Sequence, residues 1–114
     1  MIILDTDFLI SSIKFRVDVV SQIKENFPGE IAIMDKTIDE LKGVNNPNSR
    51  AAIHLVKLKE MKIIKTKKDK IVDNLILENV KEGDIVATQD RNLKRRLKNK
   101  DIKVITIRQK KYVK

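Results

Sequence analysis

Ile85-Val86-Ala87-Thr88-Gln89-Asp90-Arg91-Asn92-Leu93-Lys94-Arg95-Arg96-Leu97 contains a strand, an acid and a helix in immediate succession. The apolar run at 85–87 suits a strand buried on both faces. Asp90 follows the strand and is a favoured N-cap for the helix behind it. The same order recurs outward in both directions. The spacing predicts strands at 2–5, 30–34, 61–64, 84–88 and 102–107. It predicts helices at 7–26, about 37–43, about 48–60, about 70–81 and 90–99. Phe8, Leu9, Ile13, Val17, Val20 and Ile23 give the first helix its apolar side. Pro28-Gly29 and Asn45-Asn46-Pro47-Asn48 read as turns, and Lys65–Lys70 as a solvated loop. Strands alternating with helices imply parallel pairing with helices on both faces: an α/β fold of three layers, α/β/α, around a central parallel sheet.

Ligands bind such sheets at the edge where the strand C-termini converge. Four acids are placed to reach that edge. Asp5 ends Ile2-Ile3-Leu4-Asp5, and Asp90 ends Ile85–Asp90. Glu40 lies in the first turn of the helix after Ile31-Ala32-Ile33-Met34. Asp73 shares a helical face with Ile76 and Val80, and a carboxylate beside an apolar stripe is costly unless paired or coordinated. Each has a structural alternative. Asp5 could cap the first helix, although Asp7 suits that role better. Thr37-Ile38-Asp39-Glu40 matches a capping box. Asp73 could pair with Lys70, and Asp90 could serve as a cap alone. Asp84 starts the strand that Thr88 ends, roughly 13 Å away at about 3.3 Å per residue, which puts it at the opposite edge. Asp18, Asp35, Asp39 and Asp69 read as solvated or capping. Acids gathered at one edge repel unless cations or protons intervene, and an oxygen-only set suits Mg²⁺ or Mn²⁺.

The chain has 114 residues, 41% hydrophobic and 4% aromatic, so one domain with an aliphatic core is expected. Without Cys there is neither a disulfide framework nor a thiolate metal site. No apolar run approaches the roughly 20 residues of a membrane span, and the opening residues read as a strand rather than a signal peptide. The expected location is the cytoplasm, with no membrane partner. His54 is the only histidine, and no Ser/His/Asp or Cys/His set can be built around it. Net charge is +9. Residues 91–114 hold eleven Lys or Arg and one acid, whereas residues 1–90 are close to neutral at −1. A localised basic segment is the footprint of a polyanion partner. A lysine-rich stabilising surface would also suit the high Lys and Ile content, but it would interleave both signs.

Met1-Ile2-Ile3-Leu4-Asp5-Thr6-Asp7-Phe8-Leu9-Ile10 resembles the opening motif of PIN-domain nucleases. Ile38-Asp39-Glu40-Leu41 resembles their second motif, Val72-Asp73-Asn74-Leu75-Ile76 the third and Ile85–Asp90 the fourth. Order and spacing agree over nearly the whole chain. The basic stretch Val86–Leu97 is similar to the branch that cleaves or binds pre-ribosomal RNA in archaea and eukaryotes. The resemblance implies a PIN-like nuclease domain over 1–107 and a basic tail over 108–114. It implies Mg²⁺- or Mn²⁺-dependent endonuclease activity on RNA, with Asp5, Glu40, Asp73 and Asp90 as metal ligands and catalytic residues. Asn74 departs from the pattern, since the ribosomal branch often has a second acid there.

In such a site a divalent ion activates water and stabilises charge on the phosphate and leaving oxygen. Arg91, Lys94, Arg95 and Arg96 would neutralise RNA backbone near the cut. Arg108, Lys110, Lys111 and Lys114, on a mobile tail, would grip it farther away. Thr6 and Thr88 are expected to support the strand-end geometry. RNA, foremost rRNA, is the expected partner, and a homodimer is admitted. The competing readings are a non-catalytic RNA-binding module of ribosome assembly and a toxin nuclease controlled by an antitoxin.

Overall fold

Strand β1 (Ile2–Leu4) is buried at every residue and pairs in parallel with two neighbours, β2 (Ile31–Met34) and β4 (Ile85–Ala87). The computed structural model describes all residues from Met1 to Lys114. β3 (Lys62–Ile64) pairs with β2, and β5 (Lys103–Ile105) with β4, both in parallel. The sheet order is therefore β3-β2-β1-β4-β5. The chain builds outward from β1 on one side, then crosses back to build on the other. That reversal places the topological switch point between β1 and β4, where a crevice opens beyond the strand ends.

Alternation along the strands divides the core between two faces. Ile2 and Leu4 join Phe8 and Leu9 of α1 (Thr6–Lys14), Ile23 of α2 (Val19–Asn26), Leu41 of α3 (Asp35–Val44) and Val56 of α4 (Pro47–Leu58). Ile3 and Val86 face the other way, against Leu75 and Ile76 of α5 (Val72–Asn79) and Leu93 and Leu97 of α6 (Arg91–Asn99). The result is the expected α/β/α sandwich.

Two elements differ from their sequence expectation. The helix expected over 7–26 is two helices. Arg16 takes a left-handed φ of 55°, and Asp18 starts a new helix by accepting from the Ser21 amide at 3.1 Å and the Ser21 hydroxyl at 2.8 Å. An aspartate in that position satisfies amides that a continuous helix would bond internally. The strand expected over 102–107 also divides. After β5 the chain leaves the sheet, and β6 (Ile107–Arg108) pairs antiparallel with β7 (Tyr112–Val113). The expected mobile tail is thus a hairpin. Val113 is buried against the first core face. Gln22 clasps the hairpin like a strand: its Nε2 donates to the Lys111 carbonyl and its Oε1 accepts from the Val113 amide at 2.8 Å.

Candidate active site

Asp5 leaves β1 at the switch point and is 2% exposed. Its amide donates to the Ala87 carbonyl of β4 at 2.9 Å. Its carboxylate accepts from the Thr6 amide at 2.9 Å and from the Thr88 hydroxyl at 2.8 Å. The same Thr88 oxygen accepts from the Asp90 amide at 3.1 Å. One hydroxyl thus ties together the ends of the two central strands. Asp90 caps α6 through the Asn92 and Leu93 amides. Asp5 is the cap of α1, so the expectation that Asp7 takes that role is corrected.

Glu40 reaches the same edge by a different route. The capping-box reading of Thr37 and Glu40 does not hold, because α3 starts immediately after β2, at Asp35. Thr37 and Glu40 therefore lie inside the helix, two and five residues beyond its first residue. One Glu40 oxygen accepts from the Thr6 hydroxyl at 2.8 Å and the other from the Val72 amide at 3.4 Å. Thr6 consequently orients Glu40, while Thr88 orients Asp5.

Asp73 stands in the first turn of α5, close enough to Asp90 for its charge to be felt. It has no pairing with Lys70, which bonds Glu78 instead. Asp7, which sequence reasoning passed over as a cap, lies near enough to Asp90 and Glu40 for their charges to act on it. Its signal was present in Asp5-Thr6-Asp7: once the first acid caps the helix, an acid two positions on in the first turn remains at the same edge.

Electrostatics binds the five acids into one group. Burial, reinforced by Asp73 and Asp7, pushes the Asp5 carboxyl up to about 7, against opposing hydrogen bonds from Thr88 and the Thr6 amide. Burial also raises Asp7, with Asp90 and Glu40 adding repulsion. Asp73 is raised by burial first, then by Asp90, Asp7 and Glu40. In a chain with 25 Lys or Arg, none of these five carboxylates forms an ion pair; the four ion pairs involve Asp84, Glu30, Asp39 and Glu78. No three of the acids converge as tightly as the ligands of a single ion. The donor set nevertheless fits a hard divalent cation: it is all carboxylate oxygen and has surplus negative charge that no cationic side chain offsets.

The other acids have structural partners. Asp84 accepts from the Met1 amino group at 3.0 Å and the Lys81 amide at 2.9 Å, at the opposite edge as expected. Asp39 pairs with Lys68, Asp18 caps α2, and Asp69 is exposed. Asp35 is neither solvated nor a plain cap, because three hydrogen bonds converge on it, two of them from Thr66. His54 is exposed on α4.

The basic candidates form two groups, divided differently from the expectation. Arg91 and Lys98 of α6 and Arg108 of β6 are each close enough to act on Lys94 of α6. The Lys94 ammonium is held below its ordinary range by desolvation and then by Lys98, Arg108 and Arg91. Gln89 joins the hairpin to this edge, accepting from the Ile107 amide at 2.7 Å and donating to its carbonyl at 3.2 Å. Arg95 is exposed. Arg96 donates to Asn74 Oδ1 at 3.1 Å, so the position where an acid would be expected instead holds a guanidinium beside Asp73. Lys110 is drawn aside, its ammonium 5.3 Å from the Phe15 ring. Lys111 and Lys114 are exposed near it.

Comparison with known proteins agrees with this architecture. The PIN-like domain family matches residues 2–110. Ribonuclease VapC4 of Methanocaldococcus jannaschii is 32% identical over 122 aligned positions, covering 97% of this chain and 92% of that protein. A solved structure of the PIN domain endonuclease Utp24 superposes with a TM-score of 0.85 over 98% of this chain and 87% of that one, at 22% identity. Acids at the switch point of a 3-2-1-4-5 parallel sheet, together with a family match across almost every residue, lead to one assignment: the chain belongs to the PIN-like domain family.

Proposed function

We propose that this protein is a divalent-metal-dependent endoribonuclease acting on structured RNA in the cytoplasm, with precursor rRNA as the foremost target. One observation carries the reading: five carboxylates without a cationic partner share an edge with a basic surface made by α6 and β6. The ribonuclease and endonuclease relatives support the reaction class.

Asp5, Glu40, Asp73 and Asp90 would hold Mg²⁺ or Mn²⁺, with Asp7 at the rim. When bound there, the ion supplies water activation and stabilises charge on phosphate oxygens. The chain supplies the rest. Thr88 fixes Asp5 and the start of α6 together, and Thr6 fixes Glu40. Arg91, Lys94 and Arg108 hold the phosphate backbone beside the acids. Asn74 holds Arg96 where its remaining N–H groups can reach a phosphate. The exposed hairpin residues Lys110, Lys111 and Lys114 extend the grip, which makes 108–114 a working part of the domain. A homodimer is part of the proposal, motivated by exposed Ile63 on the sheet-edge strand β3 and exposed Leu58 just before it. A single-copy mass by light scattering would remove it.

The deciding experiment incubates the protein with structured RNA and Mn²⁺ and maps the cut ends. Metal-dependent cleavage, lost in Asp5→Asn and Asp90→Asn proteins that still fold, is the expected result. Equal cleavage in EDTA would overturn the metal dependence, and no cleavage with intact RNA binding would leave the non-catalytic RNA-binding reading. A small co-purifying protein that suppresses cleavage would favour the toxin-nuclease reading, which the likeness to Ribonuclease VapC4 keeps open.

A further inference from the structure

The loop between β3 and α5 is lysine-rich, and it does not behave as a free solvated loop. Residues 62–70 hold five lysines and one acid, Asp69. Asp35, the first residue after β2, clamps the loop: its Oδ2 accepts from the Thr66 amide at 2.8 Å and its Oδ1 from the Thr66 hydroxyl at 2.7 Å. Those bonds, with one from the Lys36 amide, overcome the effect of burial and hold the Asp35 carboxyl below its ordinary range. Lys36 Nζ donates to the Lys68 carbonyl at 3.4 Å, and Lys68 pairs with Asp39 at 2.9 Å. The Thr66 hydroxyl further accepts from the Lys68 amide. Lys68 and Lys70 are thereby committed to carboxylates. Lys65 and Lys67 are exposed and have no carboxylate partner. A half-buried acid and two side-chain pairs hold this segment, yet the ammoniums of Lys65 and Lys67 have no carboxylate partner.

Topology gives the segment its place. The loop leaves β3 at the same edge of the sheet as Asp5 and Asp90, and it leads directly into the turn of α5 that carries Asp73. β3 and β5 are the outermost strands, separated by four strand spacings, about 19 Å at about 4.8 Å each. Strand order therefore puts α6 with β6 toward one outer strand and the clamped loop toward the other, with the strand ends that carry Asp5 and Asp90 between them. The near-neutral total for residues 1–90 hides this second basic segment, because five of the fifteen acids there belong to the acid group itself.

We infer that Lys65 and Lys67 form a second phosphate-binding wall, so that an RNA strand crosses the whole C-terminal edge of the sheet and is held on both sides of the acids. The inference rests on the ribonuclease reading and extends its substrate from a single phosphodiester to a stretch of backbone about as long as the sheet is wide.

The test measures RNA binding as a function of salt in an Asp90→Asn background, with a stem–loop RNA and an unpaired RNA of equal length as probes. Lys65→Ala/Lys67→Ala is compared with Lys24→Ala/Lys57→Ala, which removes two exposed lysines from α2 and α4. Each lost phosphate contact lowers the salt slope by about 1. The loop pair should lower it by roughly 1–2 with weaker affinity, and the control pair should leave it unchanged. All four lysines are exposed, and a thermal melt confirms that folding is intact. Tight binding by the Asp90→Asn parent with the same slope after the loop substitutions would overturn the second wall alone. Failure of the parent to bind either RNA would overturn the ribonuclease reading and the second wall with it.

Discussion

Asp5 and Asp35 hold equivalent places, each directly after a buried parallel strand, on adjacent strands of one sheet. Their environments are opposite. Asp35 receives three hydrogen bonds, joins two pieces of backbone and is held below the ordinary carboxylate range. Asp5 receives two, lies near further acids, and is pushed up to about 7. A strand-end position alone does not make a reactive carboxylate. What separates the two is whether local donors satisfy the charge or leave it for something that binds.

The sharpest way to break this comparison is to neutralise each acid. Asp5→Asn should reduce RNA cleavage by more than about 10²-fold, the scale of single catalytic groups. Asp35→Asn should instead act mainly on stability, costing about 1–3 kcal/mol in denaturant melts through the loss of partly buried hydrogen bonds to a charged group. Comparable cleavage losses for the two would erase the distinction.

The pH dependence separates them by sign. A raised carboxyl favours folding while it is protonated. In EDTA, Asp5 therefore contributes stability that is fully present below about 4 and lost as pH rises through about 7. With three units of separation the loss reaches roughly 4 kcal/mol. Asp35 is lowered, so its contribution is present above about 4 and lost as pH falls through its folded value. Thermal melts in EDTA should show Asp5→Asn gaining on the wild type with rising pH and Asp35→Asn losing against it. Mn²⁺ should raise the wild-type melting temperature more at alkaline than at acidic pH. A metal effect independent of pH would count against the acids as the binding group.

Two smaller effects test the walls around Asp5. Removing residues 108–114 strips buried Val113 from the core and empties the Gln22 clasp, so it should cost about 2–3 kcal/mol of stability as well as RNA affinity. Loss of affinity alone would restore the mobile-tail expectation. Asn74→Ala should release Arg96 and slow cleavage roughly 3–10-fold, within the range of one hydrogen bond to a charged group, while an Arg96→Ala/Asn74→Ala double variant should be no worse than Arg96→Ala.

The sheet and the strand-end or helix-start places of Asp5, Asp73 and Asp90 were legible because they depend on local pattern: an apolar run, an acid, then a helix. The break at Arg16 was not. Phe8, Ser12, Val19 and Ile23 keep helical spacing straight through it, and only the Asp18–Ser21 cap marks the new start. The hairpin was hidden for the opposite reason: two apolar residues, Tyr112 and Val113, stand among so many charges that the segment reads as tail. The roles of Thr6, Thr88 and Asp7, and the clamp from Asp35 to Thr66, depend on contacts between segments distant in the sequence, for which spacing offers no signal.

The Thr88–Asp5 hydrogen bond joins residues 83 positions apart, and it has a consequence for biosynthesis. β1 emerges from the ribosome before the other strands of its sheet, yet one of its two neighbours is β4. Such long-range pairings form late and slowly. The acid at the end of β1 thus stays apart from Asp90 until β4 has been made. A protein able to cut RNA would then acquire that ability only after β4 and Asp90 behind it have emerged, leaving the messenger and ribosome beside it out of reach of an assembled site until that point.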